Sequence, residues 1–196
     1  MADTRLPPEQ YIPRGWPVLH YGPVPKFAPE KWDFRVFGTT EVERTLTWPD
    51  FEALPRTDVH ADFHCVTKFS VLDNDWTGVS TAIVLELAPP SPETTHVMVW
   101  AEYGYGANMR LADFADAAAL FATHRNGEPL TPDHGFPVRL IVPHLYAWKG
   151  PKWVRGVEYL TRDRRGFWEE RGYHNVADPW LEQRYSYQEL PGEGPE

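Results

Sequence analysis

The residue most able to do chemistry is the only cysteine, Cys65, in the run Asp62-Phe63-His64-Cys65-Val66-Thr67-Lys68. A single thiol forms no internal disulfide and builds no thiolate-rich zinc site alone, so it is a nucleophile, a soft metal ligand or an inert core side chain. Adjacent cations would lower its pKa and favour the first two. His64 is a poor catalytic partner for it, because consecutive strand residues point to opposite faces. His60 and His64, four apart, share a face in a helix or a strand, which leaves a zinc pair open beside the alternative of a solvated polar face.

A second group of residues suits an anion. In His134-Gly135-Phe136-Pro137-Val138-Arg139 the glycine permits close backbone approach, the proline fixes the start of a strand and the arginine offers a forked donor for phosphate. Lys152 follows Gly150-Pro151 and puts a point charge beside backbone that a ligand can approach. By contrast, Tyr103-Gly104-Tyr105-Gly106 lacks the full spacing of a dinucleotide-binding glycine loop and reads as a flexible aromatic turn.

The elements that must carry these residues are short. Residues 1–29, with seven prolines from Pro7 to Pro29, read as an extended arm lying over a domain at 30–190, and 191–196 as a tail. Alternation in Trp32 to Phe37 before Gly38 predicts a half-buried strand, with a helix to follow. Thr47 ahead of Trp48-Pro49-Asp50 predicts a capped short helix ending before Pro55. Val59, Ala61, Phe63 and Cys65 alternate with His60, Asp62 and His64, so Cys65 points with the core residues of a strand. A second short helix is expected from Ser80 or Thr81 over Ala82 to Leu87, stopped by Pro89-Pro90, then a strand from His96 to Trp100. Leu111 to Thr123 divides into helix then strand, because Asn126-Gly127 suits a hairpin turn. Pro137 to Val142 and Trp153 to Leu160 complete the strands, with an aromatic-rich loop between them.

At 196 residues, 42% apolar and 24% charged, the chain fits one domain with a sizeable core. Nine Trp, nine Tyr and ten Phe with 20 Pro favour a strand-rich α+β domain over a helical bundle. A net charge of -9 offers no broad basic footprint for nucleic acid, and no apolar run approaches the length of a bilayer span. The polar first ten residues carry neither a twin-arginine pair nor an apolar export core, so a cytoplasmic location is expected.

Taken in order, these segments resemble the sulfite oxidase family of molybdopterin enzymes, which includes bacterial methionine sulfoxide reductase catalytic subunits, over roughly Trp16 to Tyr187. Four blocks carry the likeness. They are Phe63 to Ser70 with Trp76-Thr77-Gly78-Val79; Asn126 to Leu130 running into His134 to Arg139; Lys152-Trp153; and Gly172-Tyr173-His174-Asn175 with Asp178-Pro179-Trp180. The resemblance implies a single molybdopterin-binding domain of mixed sheets and short helices, with Cys65 as the protein thiolate on molybdenum. It further implies that His134 and Arg139 meet the pterin phosphate, with Lys152 and the backbone of Gly150 and Pro151 completing the cradle. Tyr173 falls where the family places a tyrosine near the metal, suited to donate a hydrogen bond or pass a proton, and His20 falls in an arm close to the cofactor.

One departure bears on the substrate. Animal and plant sulfite oxidases have arginines at positions that correspond here to Leu19 and Ser70, and losing two charge-assisted donors, each worth about 1.5 to 3 kcal/mol, disfavours a sulfite dianion. Lys68 and His20 are the candidates for replacement charge, while a pocket edged by Phe69, Trp76 and Tyr173 suits a sulfoxide or N-oxide. The resemblance thus implies two-electron oxygen-atom transfer on a small molecule. The length leaves no room for the haem-binding and dimerisation domains of longer relatives, so electrons are expected to pass to a separate redox protein such as a haem protein. The rival readings are a catalytically silent binding module of the same fold, and a cysteine hydrolase or His-based zinc enzyme.

Overall fold

A computed structural model of the chain describes residues 5–195. Its elements, in chain order, are β1 (Asp33–Gly38), β2 (Arg44–Thr47), α1 (Trp48–Glu52), β3 (Thr57–His64), β4 (Ser70–Ser80), α2 (Thr81–Leu87) and β5 (His96–Ala101), then β6 (Gly106–Arg110), α3 (Leu111–Phe114), β7 (Leu120–Arg125), β8 (Glu128–Pro129), β9 (Arg139–Ile141) and β10 (Val154–Leu160). They build two five-stranded sheets, one in the order β2-β1-β10-β5-β6 and one in the order β3-β4-β7-β8 with β9 also paired to β7. Among these strands β1 and β10 run parallel, and the other pairs are antiparallel. The main core draws on both sheets, with Phe34 of β1 packed edge-on against Phe121 of β7 at 5.0 Å. Each sheet thus buries one face against the other.

Local chemistry accounts for most of these boundaries. Thr47 caps α1 by accepting from the Asp50 backbone N–H, while the Asp50 carboxylate accepts from the Thr47 N–H at 2.9 Å, a reciprocal pair that satisfies two otherwise orphaned donors. Ser80 likewise caps α2 through Ala82. Asn126 and Gly127 take φ of 52° and 81° in the two-residue turn joining β7 to β8, the left-handed values such a turn requires. Gly78 on β4 is compulsory for another reason: a Cβ there would lie 2.1 Å from the Phe121 carbonyl oxygen on β7.

Three expectations need correcting. The element after Gly38 is not a helix but β2, which pairs antiparallel with β1 before Thr47 starts α1. The strand expected over Pro137 to Val142 is shorter: only Arg139–Ile141 pair with β7, and Pro137 has no N–H to extend the ladder. The Tyr103 to Gly106 segment does turn, with Tyr103 at φ 61°, but Gly106 already belongs to β6. Strand β4, eleven residues long and central to its sheet, was not anticipated because Asp73, Asn74 and Asp75 interrupt its alternation.

The arm is laced onto the domain rather than standing off it. Arg5 pairs with Asp62 at 2.7 Å and Glu9 with Lys68 at 2.5 Å, and Tyr11 bridges to the start of β4 through Lys68 O and the Ser70 N–H, both at 2.9 Å. At the other end Glu193 accepts from the Gln183 side chain at 2.9 Å and the Leu190 N–H at 2.7 Å. No helix among the described residues is long and apolar enough to cross a membrane.

Candidate active site

Cys65 lies one residue past β3, where the β3–β4 hairpin closes. Its N–H donates to Phe69 O at 2.8 Å, and its carbonyl accepts from the Lys68 N–H at 3.0 Å and from Gln10 Nε2 at 3.1 Å. Lys68 takes φ 75° to close this turn. With both backbone groups fixed, the thiol is held at the wall of a cavity of about 490 Å³. Its Sγ lies 3.2 Å from Thr67 Oγ1. Burial pushes the thiol pKa up, while Thr67 and the positive charges of Arg139 and Arg184 pull it down.

That cavity collects the eight residues that the family resemblance implies for the site: Cys65, Tyr173, His20, His134, Arg139, Gly150, Pro151 and Lys152 all line it. Arg139, at the start of β9, is 4% exposed and donates only to carbonyls, to His134 O at 3.0 Å and Gly150 O at 3.5 Å. Its Nε has no partner, and no carboxylate among the described residues lies within ion-pair distance of it. Burial pushes this guanidinium down to about 9, an abnormal situation for a group whose charge is otherwise permanent. Lys152 donates to the carbonyls of Leu19 and Asp133, both at 2.7 Å, and burial with Arg139 nearby pushes it down to about 7. His134 bonds Thr131 Oγ1 at 2.8 Å and the Trp16 carbonyl at 3.2 Å; burial lowers its pKa, so the ring is readily neutral.

Gly135 and Gly150 serve this cluster mainly through packing. A Cβ on Gly135, at φ 115°, would come within 2.9 Å of Arg139 Cβ and 3.2 Å of Lys152 Cβ; one on Gly150 would meet Leu140 O at 2.3 Å. His20 sits at the exposed rim, with Nδ1 3.0 Å from Gly22 O and its ring edge-on to Trp153 at 5.5 Å.

The rest of the wall is aromatic: Phe69 and Tyr173 line it as expected, Trp76 is fully buried and does not, and Tyr105, Trp148, Trp153, Phe167 and Trp168 join it without a local signal in the sequence. Tyr173 packs at 5.2 Å against both Trp148 and Trp168, and burial pushes its phenol pKa up. Tyr105, from the segment discounted as a turn, lines the cavity and donates its hydroxyl to Trp148 O at 3.1 Å. Beneath it, Lys149 and Glu169 form a fully buried ion pair at 2.7 Å, and Glu169 also accepts from Trp148 Nε1 at 2.8 Å. The available sequence signal was the density of tryptophans, which shows that large flat surfaces exist but not which cavity they face.

The histidines of β3 do something else. His60 is exposed and meets Asp75 at 2.7 Å and Asp73 at 3.5 Å, while His64 is buried with Nδ1 2.8 Å from Ser70 Oγ. Neither touches the cavity.

A buried thiol and a guanidinium with no carboxylate partner share one aromatic-walled cavity, a lining whose chemistry suits an anionic ligand and a soft metal. The family model described as "Oxidoreductase molybdopterin binding domain" matches residues 21–168, and the chain belongs to that family. It is 43% identical to the "Uncharacterized oxidoreductase YuiH" of Bacillus subtilis over 93% of both chains. It is 27% identical to the mitochondrial sulfite oxidase of Drosophila melanogaster over 82% of this chain but 32% of that protein. It is 23% identical to the protein-methionine-sulfoxide reductase catalytic subunit MsrP of Campylobacter jejuni over 78% of this chain and 59% of the relative. The fold matches the sulfane dehydrogenase SoxCD from Paracoccus pantotrophus with a TM-score of 0.69 at 20% identity, covering 78% of this chain and 43% of that one.

The family's cofactor fits the residues present. A pterin phosphate would supply the negative charge that Arg139 lacks, and the Cys65 sulfur faces the same space.

Proposed function

We propose that the protein transfers an oxygen atom to or from a small, weakly charged S- or N-oxide, with Cys65 binding molybdenum and His134, Arg139, Lys152, Gly150 and Pro151 cradling the pterin phosphate. The observation that carries this reading is the orphaned Arg139 guanidinium sharing one cavity with the sole thiol. When bound, the cofactor supplies a two-electron redox centre able to exchange an oxo group. The protein's part is to fix the sulfur, neutralise the phosphate and control the proton. Tyr173 Oη is suited to donate to the oxygen being transferred, its raised pKa keeping the proton in place at neutral pH. The tryptophans and Phe167 exclude water and offer soft contacts to a thioether product.

The side chains at the two variant positions support a weakly charged substrate over sulfite. Ser70 is fully buried with its hydroxyl engaged by His64 and Gln10, and Leu19 brings no charge. Lys68, a candidate substitute, is bound to Glu9 outside the cavity. Sulfoxide reduction consumes two electrons and two protons and yields a thioether and water. We propose that a separate one-electron carrier, such as a haem protein, supplies the electrons. We also propose a cytoplasmic location, in keeping with a single free thiol, which cell fractionation tests.

The test is purification from a host that makes the cofactor, followed by molybdenum and pterin analysis and turnover with a reduced dye. About one molybdenum per chain is expected, with dimethyl sulfoxide or methionine sulfoxide consumed faster than sulfite is oxidised. Metal-free protein from such a host, or efficient sulfite oxidation, overturns the proposal.

A further inference from the structure

The cations of the cradle are held by one stretch of the arm. The Trp16 indole stacks on His134 at 3.9 Å and 17°, with the Arg139 guanidinium 5.1 Å and the Arg125 guanidinium 4.7 Å from its centroid. The Trp16 carbonyl bonds His134, and three residues on the Leu19 carbonyl accepts from Lys152. This stretch is bounded by Gly15 and Gly22, both at φ 77°, where an added Cβ would meet nothing within 4 Å. Packing against a neighbour therefore does not explain either glycine; the left-handed turns at the two ends of the strap do. Trp16 lies before residues 21–168, so the family match assigns it no role.

The chemistry of the contact is informative. A carboxylate beside Arg139 would neutralise it and compete with an incoming phosphate. An aromatic face attracts the guanidinium and fixes its plane while leaving its charge and its outward N–H groups free. We propose that Trp16 is a positioning residue of the phosphate cradle, its indole and carbonyl holding Arg139 and His134 ready for the pterin phosphate. This rests on the cavity being the pterin site.

The test compares Trp16→Leu, which stays apolar but loses the aromatic face and its cover of the His134 ring, with Trp16→Phe, which keeps a face, and with Val18→Ala, whose side chain is exposed outside the cavity. The readouts are the half-life of pterin retention, followed by fluorescence of the released pterin, and the His134 pKa in cofactor-free protein by NMR. Trp16→Leu is expected to release cofactor about tenfold faster than wild type, with Trp16→Phe within about threefold and Val18→Ala unchanged. In Trp16→Leu the His134 pKa should rise toward the ordinary imidazole value, since stacking contributes to the burial that lowers it. Retention in Trp16→Leu equal to wild type, or equal to Trp16→Phe, overturns the proposal, because an apolar plug alone would then suffice. Wild-type protein that holds the pterin without turning over any oxide would instead remove the proposed reaction and leave this inference standing.

Discussion

Cys65 and Lys152 are the two residues whose environments make the sharpest demands. Cys65 is held by its backbone at the closure of a hairpin, so replacing sulfur by oxygen changes the ligand and little else. Cys65→Ser is expected to abolish turnover and lower molybdenum content, with a denaturant midpoint within about 1 kcal/mol of wild type; full activity in that variant would dismiss the thiolate ligand. Lys152 gives a pH prediction. Burial pushes it down to about 7 in the folded chain, against about 10.4 in the unfolded one. Between those values the unfolded chain binds the extra proton, so stability rises as pH increases through that window. Lys152→Met should remove this share of the slope, read as the difference between the two proteins in urea unfolding from pH 6 to roughly pH 9.5. Identical slopes would mean the ammonium is not desolvated.

At the scale of elements, the hairpins and caps decide where the site's side chains start. The sheet built on β4 and β7 contains two glycines of opposite character, Gly78 within β4 and Gly127 in the β7–β8 turn. Gly78→Ala forces a Cβ into the Phe121 carbonyl and should cost about 3 kcal/mol or more. Gly127→Ala meets open space and pays only for its left-handed backbone, about 1 kcal/mol. Equal effects in thermal unfolding would contradict the register of this sheet. These elements are also where local sequence was most informative. Thr47 with Asp50, Ser80 with Ala82, and Asn126-Gly127 each act within four residues, and each formed as its side-chain chemistry implied. Strands β2, β4 and β6 escaped notice because their pairing is set by partners in the sheet rather than by their own alternation.

Taken as a whole, the molecule carries net charge -9, yet Arg139 and Lys152 line one cavity and donate only to carbonyls there, with no carboxylate partner among the described residues. Below the cavity the buried Lys149–Glu169 pair ties the 147–149 turn to the 169–171 turn and anchors Trp148, and so the aromatic wall around Tyr173. Removing one charge strands the other. Lys149→Met is therefore expected to cost about 3 to 5 kcal/mol, and adding Glu169→Gln should restore much of that loss. A double-mutant cycle measures it, and additivity of the two substitutions would show that the pair is uncoupled.

The sequence by itself determined the local facts: a lone thiol at a strand end, an arginine four residues after a glycine, the caps and the Asn-Gly turn, and the ordered blocks that resemble the sulfite oxidase family. Only the tertiary structure decided that eight residues spread from His20 to Tyr173 share one cavity, that Lys149 and Glu169 neutralise each other while Arg139 stays uncompensated, and that Trp16 covers the cradle. The reason is distance along the chain. Trp16 and His134 are 118 residues apart and Leu19 and Lys152 are 133 apart, so their contacts leave no periodicity in the sequence and arise only when the two sheets pack and bring the arm across them.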